Sequence, residues 1–258
     1  MARSPEGPPP PPTVQKLRLR FTKCGRLRFI SHRDFARAFE RALRRARVPM
    51  AYSAGFSPHP KISYCGAVPT GVASEAEYLE IGLAQRCDPE AVRRALDESL
   101  PPGIDVLECV QASGGSLPER IDTSEWELLL PGVLEDEAAS AVAAFLASSE
   151  VFVERQTKDG KRQIDARAAV ISVETRGGES AVGERCAILR LVVRQLTPAV
   201  RPDDVLSGLR LVAGLAPTAP AEATRLAQGV LDDAGRLIDP LAADRAAAVD
   251  LDSAASPV

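Results

Sequence analysis

The sequence predicts an α+β protein of two tandem ferredoxin-like (βαββαβ) domains, and three observations carry that expectation. Residues 16–21 (KLRLRF) alternate charged and apolar positions, which puts Leu17, Leu19 and Phe21 on one face of a strand. The next apolar positions, Phe35, Phe39, Leu43 and Ala46, recur at the spacing of one helix face. The order strand, helix, strand, strand, helix, strand then runs twice along the chain.

In the first half the helix opens at Ser31, an N-cap whose capping-box partner is Asp34, with Ile30 before it as a staple. Pro49 stops it, because proline lacks the amide proton that a helix interior needs. A loop dense in turn residues (53–60) follows, then two strand candidates, KISYCGAV (61–68) and EYLEIGL (77–83). Residues 89–100 read as a second helix ended by PPG, and Ile104 to Val110 as the closing strand.

The second half repeats the rhythm. Trp126, Leu128 and Leu130 alternate in a strand, and residues 135–146 (EDEAASAVAAFL) form a helix. Val151 to Glu154, Ala168 to Glu174 and Ala187 to Arg194 supply strands, residues 201–209 (RPDDVLSGL) a helix, and Ala223 to Leu231 a last strand. The expected domains are therefore 14–112 and 123–235, joined by a linker at 113–122. Residues 1–13, with the run Pro8 to Pro12, and the Ala/Asp-rich residues 236–258 are expected to be disordered tails.

Composition narrows the function classes. With 45% apolar and 26% charged residues the chain has ample material for a core. No apolar run approaches 18 residues and no signal-peptide layout opens the sequence, so a cytoplasmic protein without a membrane span is expected. Cys24, Cys65, Cys87, Cys109 and Cys186 are dispersed, and His32 and His59 are the only imidazoles, so neither a metal nor a cofactor is expected. The string SGGS (113–116) has no following lysine and reads as linker, and Asp203 and Asp204 sit where a helix begins, answering its dipole.

The charge is unevenly distributed. Residues 13–64 hold thirteen Lys and Arg against Asp34 and Glu40, a net of +11 in a chain whose total is −3, so the remainder carries −14. Arg33, Arg37, Arg41 and Arg45 recur every four residues and form one nearly axial row on the first helix, flanked by Arg44 and Arg47. Like charges at this spacing repel by roughly 0.2–0.5 kcal/mol per pair. A solvated face is the plain alternative, but Lys16, Arg18, Arg20, Lys23, Arg26 and Arg28 are expected to add to the same region. The row therefore reads as a surface for RNA phosphates or for an acidic protein.

The loop 52–64 is the second candidate: Tyr52, Phe56 and His59 could stack on bases while Lys61 meets a phosphate. The alternative is structural, with Phe56 and Tyr64 in a core. His32, in the first helical turn, or His59 could serve as a general acid or base.

The segments KCGRLRFISHRD (23–34), RALRRA (41–46), YSAGFSPHPKIS (52–63) and GVASEAEYLEI (71–81) together resemble the radical-SAM-linked family, bacterial proteins with a domain of unknown function. The resemblance spans about residues 14 to 235 and is densest from Leu17 to Leu83. Members of that family occur beside, or fused to, a radical SAM protein, which implies a radical SAM protein as partner and RNA or tRNA as the handled molecule. The resemblance also implies roles for Ser31, His32, Arg33, Asp34, Tyr52, Ser53, Gly55, Phe56, Pro58, His59, Pro60 and Lys61. The chain has no CxxxCxxC string, so it does not hold a radical SAM cluster in the usual way. The leading expectation is a non-enzymatic accessory protein that presents RNA to that partner. The alternatives are a metal-independent endoribonuclease, resembling CRISPR repeat-processing enzymes and using His32 or His59, and a docking scaffold.

Overall fold

The computed structural model describes residues 11–157, 160–180 and 183–254, without the side chains of 250–254. The protein is α+β and divides into two compact units, residues 1–120 with 239–258, and residues 121–238.

Unit 1 begins with β1 (Gln15–Lys23), α1 (His32–Arg45), β2 (Ile62–Cys65), β3 (Ala73–Leu83), α2 (Pro89–Asp97) and β4 (Val106–Gln111). All its strand pairs are antiparallel, in the order β4-β1-β3-β2, with Leu17 opposite Ile81 and Leu19 opposite Leu79. The period-two pattern of β1 sends Leu17, Leu19 and Phe21 into a core with Phe35, Phe39 and Leu43 of α1 and Val92 and Leu96 of α2. Phe21 and Phe35 stack with ring centroids 5.0 Å apart, and burial of each such side chain is worth about 1.5–3 kcal/mol. Ser31 caps α1 as expected, its hydroxyl oxygen accepting from the Asp34 amide at 3.1 Å. The helix ends as Arg47 turns to a left-handed φ of 52°, two residues before Pro49.

Unit 2 comprises β5 (Thr123–Pro131), α3 (Glu135–Ala147), β6 (Phe152–Thr157), β7 (Gly160–Asp165), β8 (Val170–Glu179), β9 (Arg185–Arg194), α4 (Pro202–Ala213), β10 (Glu222–Leu231) and β11 (Leu237–Ile238). Its sheet runs β10-β5-β9-β8, antiparallel throughout, and β11 adds to β10. The strand expected at Val151 to Glu154 is not in that sheet. It is β6, paired among the described residues only with β7, because the hairpin buries little beyond Val153 and Ile164 and is otherwise mostly polar. Residues Lys158, Asp159 and Gly160 read as a hairpin turn; the first two lie outside the described residues. The hairpin is tied to α4 by the Arg155–Asp204 ion pair, and Asp204 also accepts from the Arg201 amide, so it closes a capping box as well as answering the dipole. Trp126 is core, its indole N–H donating to Ser124 Oγ at 3.0 Å.

Two sequence expectations need correction. The expected disordered tail 236–258 is ordered over residues 237–254: β11 is followed by α5 (Ala242–Ala254), which belongs to unit 1, and residues 255–258 lie outside the described residues. Its anchors are Leu241 and Asp244, both completely buried, and an Ala-rich composition gives no hint of a buried aspartate. The segment 113–122 is not a plain linker either, since Leu117 and Ile121 are buried and the carbonyls of Ser113, Gly114 and Gly115 accept hydrogen bonds from guanidinium groups. At the other end, residues 1–10 of the expected tail lie outside the described residues.

Candidate functional site

The polar face of α1 follows from the apolar one. With Phe35, Phe39, Ala42 and Leu43 turned into the core, Arg33, Arg37, Arg41, Arg44 and Arg45 are all left exposed on the other side. Arg37 reaches Asp34 at 3.9 Å, a loose, solvent-screened contact. Among the described residues no carboxylate pairs with Arg33, Arg41, Arg44 or Arg45. Arg41 and Arg45, with Ala38, line a cleft of about 240 Å³ whose far wall is Ser99, Leu100 and Pro101. Two guanidinium groups and a hydroxyl around an open cleft form the donor set that an oxyanion needs.

The strand cations do not join this surface as expected. Because Leu17, Leu19 and Phe21 face α1, Lys16, Arg18 and Arg20 point to the opposite face of the sheet. There Arg18 is 1% exposed and paired with Glu80 and Asp244, Lys16 is paired with Glu80, and Arg20 donates to the Glu75 carbonyl. Lys23 is also buried. The two cations that do lie next to α1 come from the short helical turn Gly25–Phe29: Arg26 is exposed, and Arg28 sits over the ring of exposed Phe29 with 4.9 Å to the centroid. Phe29 is the residue the sequence analysis missed. Its signal was the RLRF string directly before the cap, a basic and aromatic interleaving.

The loop after α1 is held at its base and open at its tip. Tyr52 bridges Pro60, the Ser53 amide donates to the His59 carbonyl at 2.8 Å, and Ser53 Oγ accepts from the His59 amide at 3.0 Å. Phe56 is 71% exposed and therefore not a core residue, and Tyr52 and His59 are exposed as well. Lys61 is exposed, with its ammonium on Thr13 Oγ1 at 3.0 Å.

His32 stands edge-on to Tyr64, ring centroids 5.0 Å apart. Burial, aided by the charge of Glu40, pushes the Tyr64 phenol far above its ordinary range, so it stays protonated. The hollow beside them, walled by Phe21, Lys23, Phe35 and Glu77, measures about 20 Å³, room for roughly one water and not for a nucleotide. Among the described residues no three His, Cys, Asp or Glu side chains gather as metal ligands, and no helix is long and apolar enough to cross a membrane.

Comparison with known proteins places the chain in a family: it belongs to the family described as "Uncharacterized protein conserved in bacteria (DUF2344)", whose model matches residues 16–202. No curated protein matches it. A solved structure, "Crystal Structure of a Cbf5-Nop10-Gar1 Complex", is similar at 14% identity with a TM-score of 0.45, over 88% of this chain and 55% of that one. This chain thus spans about half the length of that relative, and a likeness at that score defines no fold.

Proposed function

We propose that this member of the DUF2344 family is a non-enzymatic accessory protein that binds single-stranded RNA on the exposed face of α1 and serves a radical SAM protein as its partner. In this reading both units are ferredoxin-like, on the strength of strand orders β4-β1-β3-β2 and β10-β5-β9-β8. The observation that carries the proposal is the exposed row Arg33, Arg41 and Arg45, whose repulsion no described carboxylate relieves. Such a row weakens the free helix and is satisfied by phosphates spaced along a strand. Exposed Phe29 and Phe56 add faces on which bases can stack, an interaction worth about 1–3 kcal/mol per base.

Fluorescence anisotropy with single-stranded RNA across a salt series tests the reading. Arg41→Gln with Arg45→Gln should weaken binding and flatten the salt dependence. Unchanged binding together with failure to capture a radical SAM protein encoded beside it would make the face a protein dock, and no change in either would leave it a solvated face. The endoribonuclease alternative gains nothing from His32 and His59, since neither has a carboxylate partner among the described residues.

A further inference from the structure

On the face of the unit 1 sheet that α1 and α2 do not cover, five hydrogen bonds converge on one carboxylate. Arg18 Nη1 donates to Asp244 Oδ1 and Oδ2 at 3.0 and 3.1 Å, and Arg120 Nη1 to Oδ2 at 2.9 Å. The Ser113 amide and hydroxyl both donate to Oδ1, at 2.7 and 2.8 Å. Two guanidinium groups, a backbone N–H and a hydroxyl around one point form a receptor for an oxyanion. Asp244 fills it, carried in on α5 from the far end of the sequence.

The surroundings of this receptor are cationic. Beneath residues 239–254 the face presents Lys16, Arg18, Arg20 and Arg120 against Glu80 and Glu108, four cations to two anions. The segment 239–254 holds to this face through Asp244, buried Leu241, Asp239, which pairs with Arg20 at 3.6 Å, the Pro240 and Ala243 carbonyls, which accept from Arg120 and Ser113 at 3.1 and 3.3 Å, and Arg245, which donates to Glu108 at 2.8 and 2.9 Å; the α5 side chains Ala243, Ala246 and Ala248 are exposed. A crevice of about 320 Å³ lined by Lys16, Ser63, Glu80, Gly115 and Ser116 opens beside the receptor, and Arg18 and Gly115 connect the two through the 2.6 Å hydrogen bond from Nη2. We infer that Arg18, Arg120 and Ser113 form a second anion-binding site, for a phosphate group, which α5 keeps closed by lodging Asp244 in it. The site lies on the other side of the sheet from the α1 face, so it stands or falls independently of the RNA reading.

Full-length Asp244→Asn removes the resident charge while keeping the side chain's shape. Inorganic phosphate should raise the thermal midpoint of this variant saturably above a sodium chloride control of equal ionic strength, and a hundredfold excess over Kd multiplies its folded-to-unfolded ratio about 100-fold. Adding Arg120→Gln should abolish that gain. If Asp244→Asn is unfolded in chloride, recovery of its folded circular dichroism in phosphate supports the site, and failure to recover in phosphate overturns it. In the wild-type chain, phosphate should speed tryptic cleavage after Arg245, which the closed α5 protects. A phosphate response no larger than chloride's, a response that survives Arg120→Gln, or an unchanged rate at Arg245 each overturns the inference.

Discussion

Arg18 and Asp244 are 226 positions apart in sequence and bonded at 3.0 Å in the fold, with the aspartate side chain fully shielded from solvent. Arg18 also donates to Glu80 at 3.0 Å and to the Gly115 carbonyl at 2.6 Å, so one buried guanidinium joins β1, β3, the segment after β4 and α5. Losing one partner from such a cluster leaves charge buried without compensation, which is where the large mutational costs lie.

Asp244→Ala is accordingly expected to cost about 3 kcal/mol, the lower end of the range for breaking a buried pair, because Glu80 still compensates Arg18. The midpoint of urea unfolding measures this, and a loss under about 1 kcal/mol contradicts it.

Acid should act on the same cluster. Burial opposes the charge of Asp244, but hydrogen bonds from Ser113 and Arg18 outweigh it and hold the carboxyl below its ordinary range. Glu80 is held low in the same way by Lys16 and Arg18, against its own burial. The unfolded chain then binds more protons than the folded one, so both groups contribute fully above the ordinary carboxylate range, about pH 4, and lose that contribution as pH falls below it. Urea titrations from pH 5 downward should show stability falling with pH, and Asp244→Asn should show a shallower fall.

Phe35→Ala should cost about 3–5 kcal/mol, since Phe35 is buried and stacked on Phe21 at 5.0 Å. Beyond stability, the readout is the α1 face: if RNA binds there, the folded fraction of this variant binds more weakly because the arginines lose their rigid support. Equal affinity per folded molecule would separate the binding surface from this core.

Arg41→Gln should not destabilise the protein. It removes repulsion toward Arg37 and Arg45 and breaks no described ion pair, a gain of roughly 0.2–0.5 kcal/mol per relieved pair. For every phosphate that the variant no longer neutralises, the slope of log K against log salt should become shallower by about 0.7 on a single strand. A destabilised Arg41→Gln would mean that the residue supports the fold instead.

The helices and strands of unit 1 were legible because their apolar residues keep strict periods: Leu17, Leu19 and Phe21 at two, Phe35, Phe39 and Leu43 at about four. The exposed arginines of α1 were legible for the same reason, as the complement of that stripe. What the pattern does not carry is what covers the other side of a strand. Alternation said that Lys16, Arg18 and Arg20 share a face, and solvent was the natural reading, yet Arg18 is buried under a segment that comes more than 200 residues later. α5 escaped because Asp244 is its one buried residue among those described, and a single polar residue in an alanine-rich stretch has no periodicity. The strand at Val151 to Glu154 was expected within the βαββαβ order because Val153 alternates like a sheet strand, yet its neighbours Glu154 and Arg155 pair within a polar hairpin.

Unit 1 is discontinuous in sequence, with residues 121–238 between its two parts, and this sets an order of events during synthesis. Ribosomes add roughly 5–20 residues per second, so a nascent chain waits on the order of 6–25 s between the emergence of Arg120 and that of Asp244. Throughout that interval Arg18 and Arg120 have no aspartate to receive them, and the cationic back of the nascent sheet is left uncovered. The arrival of α5 is therefore what ends the nascent sheet's exposure to stray anionic contacts.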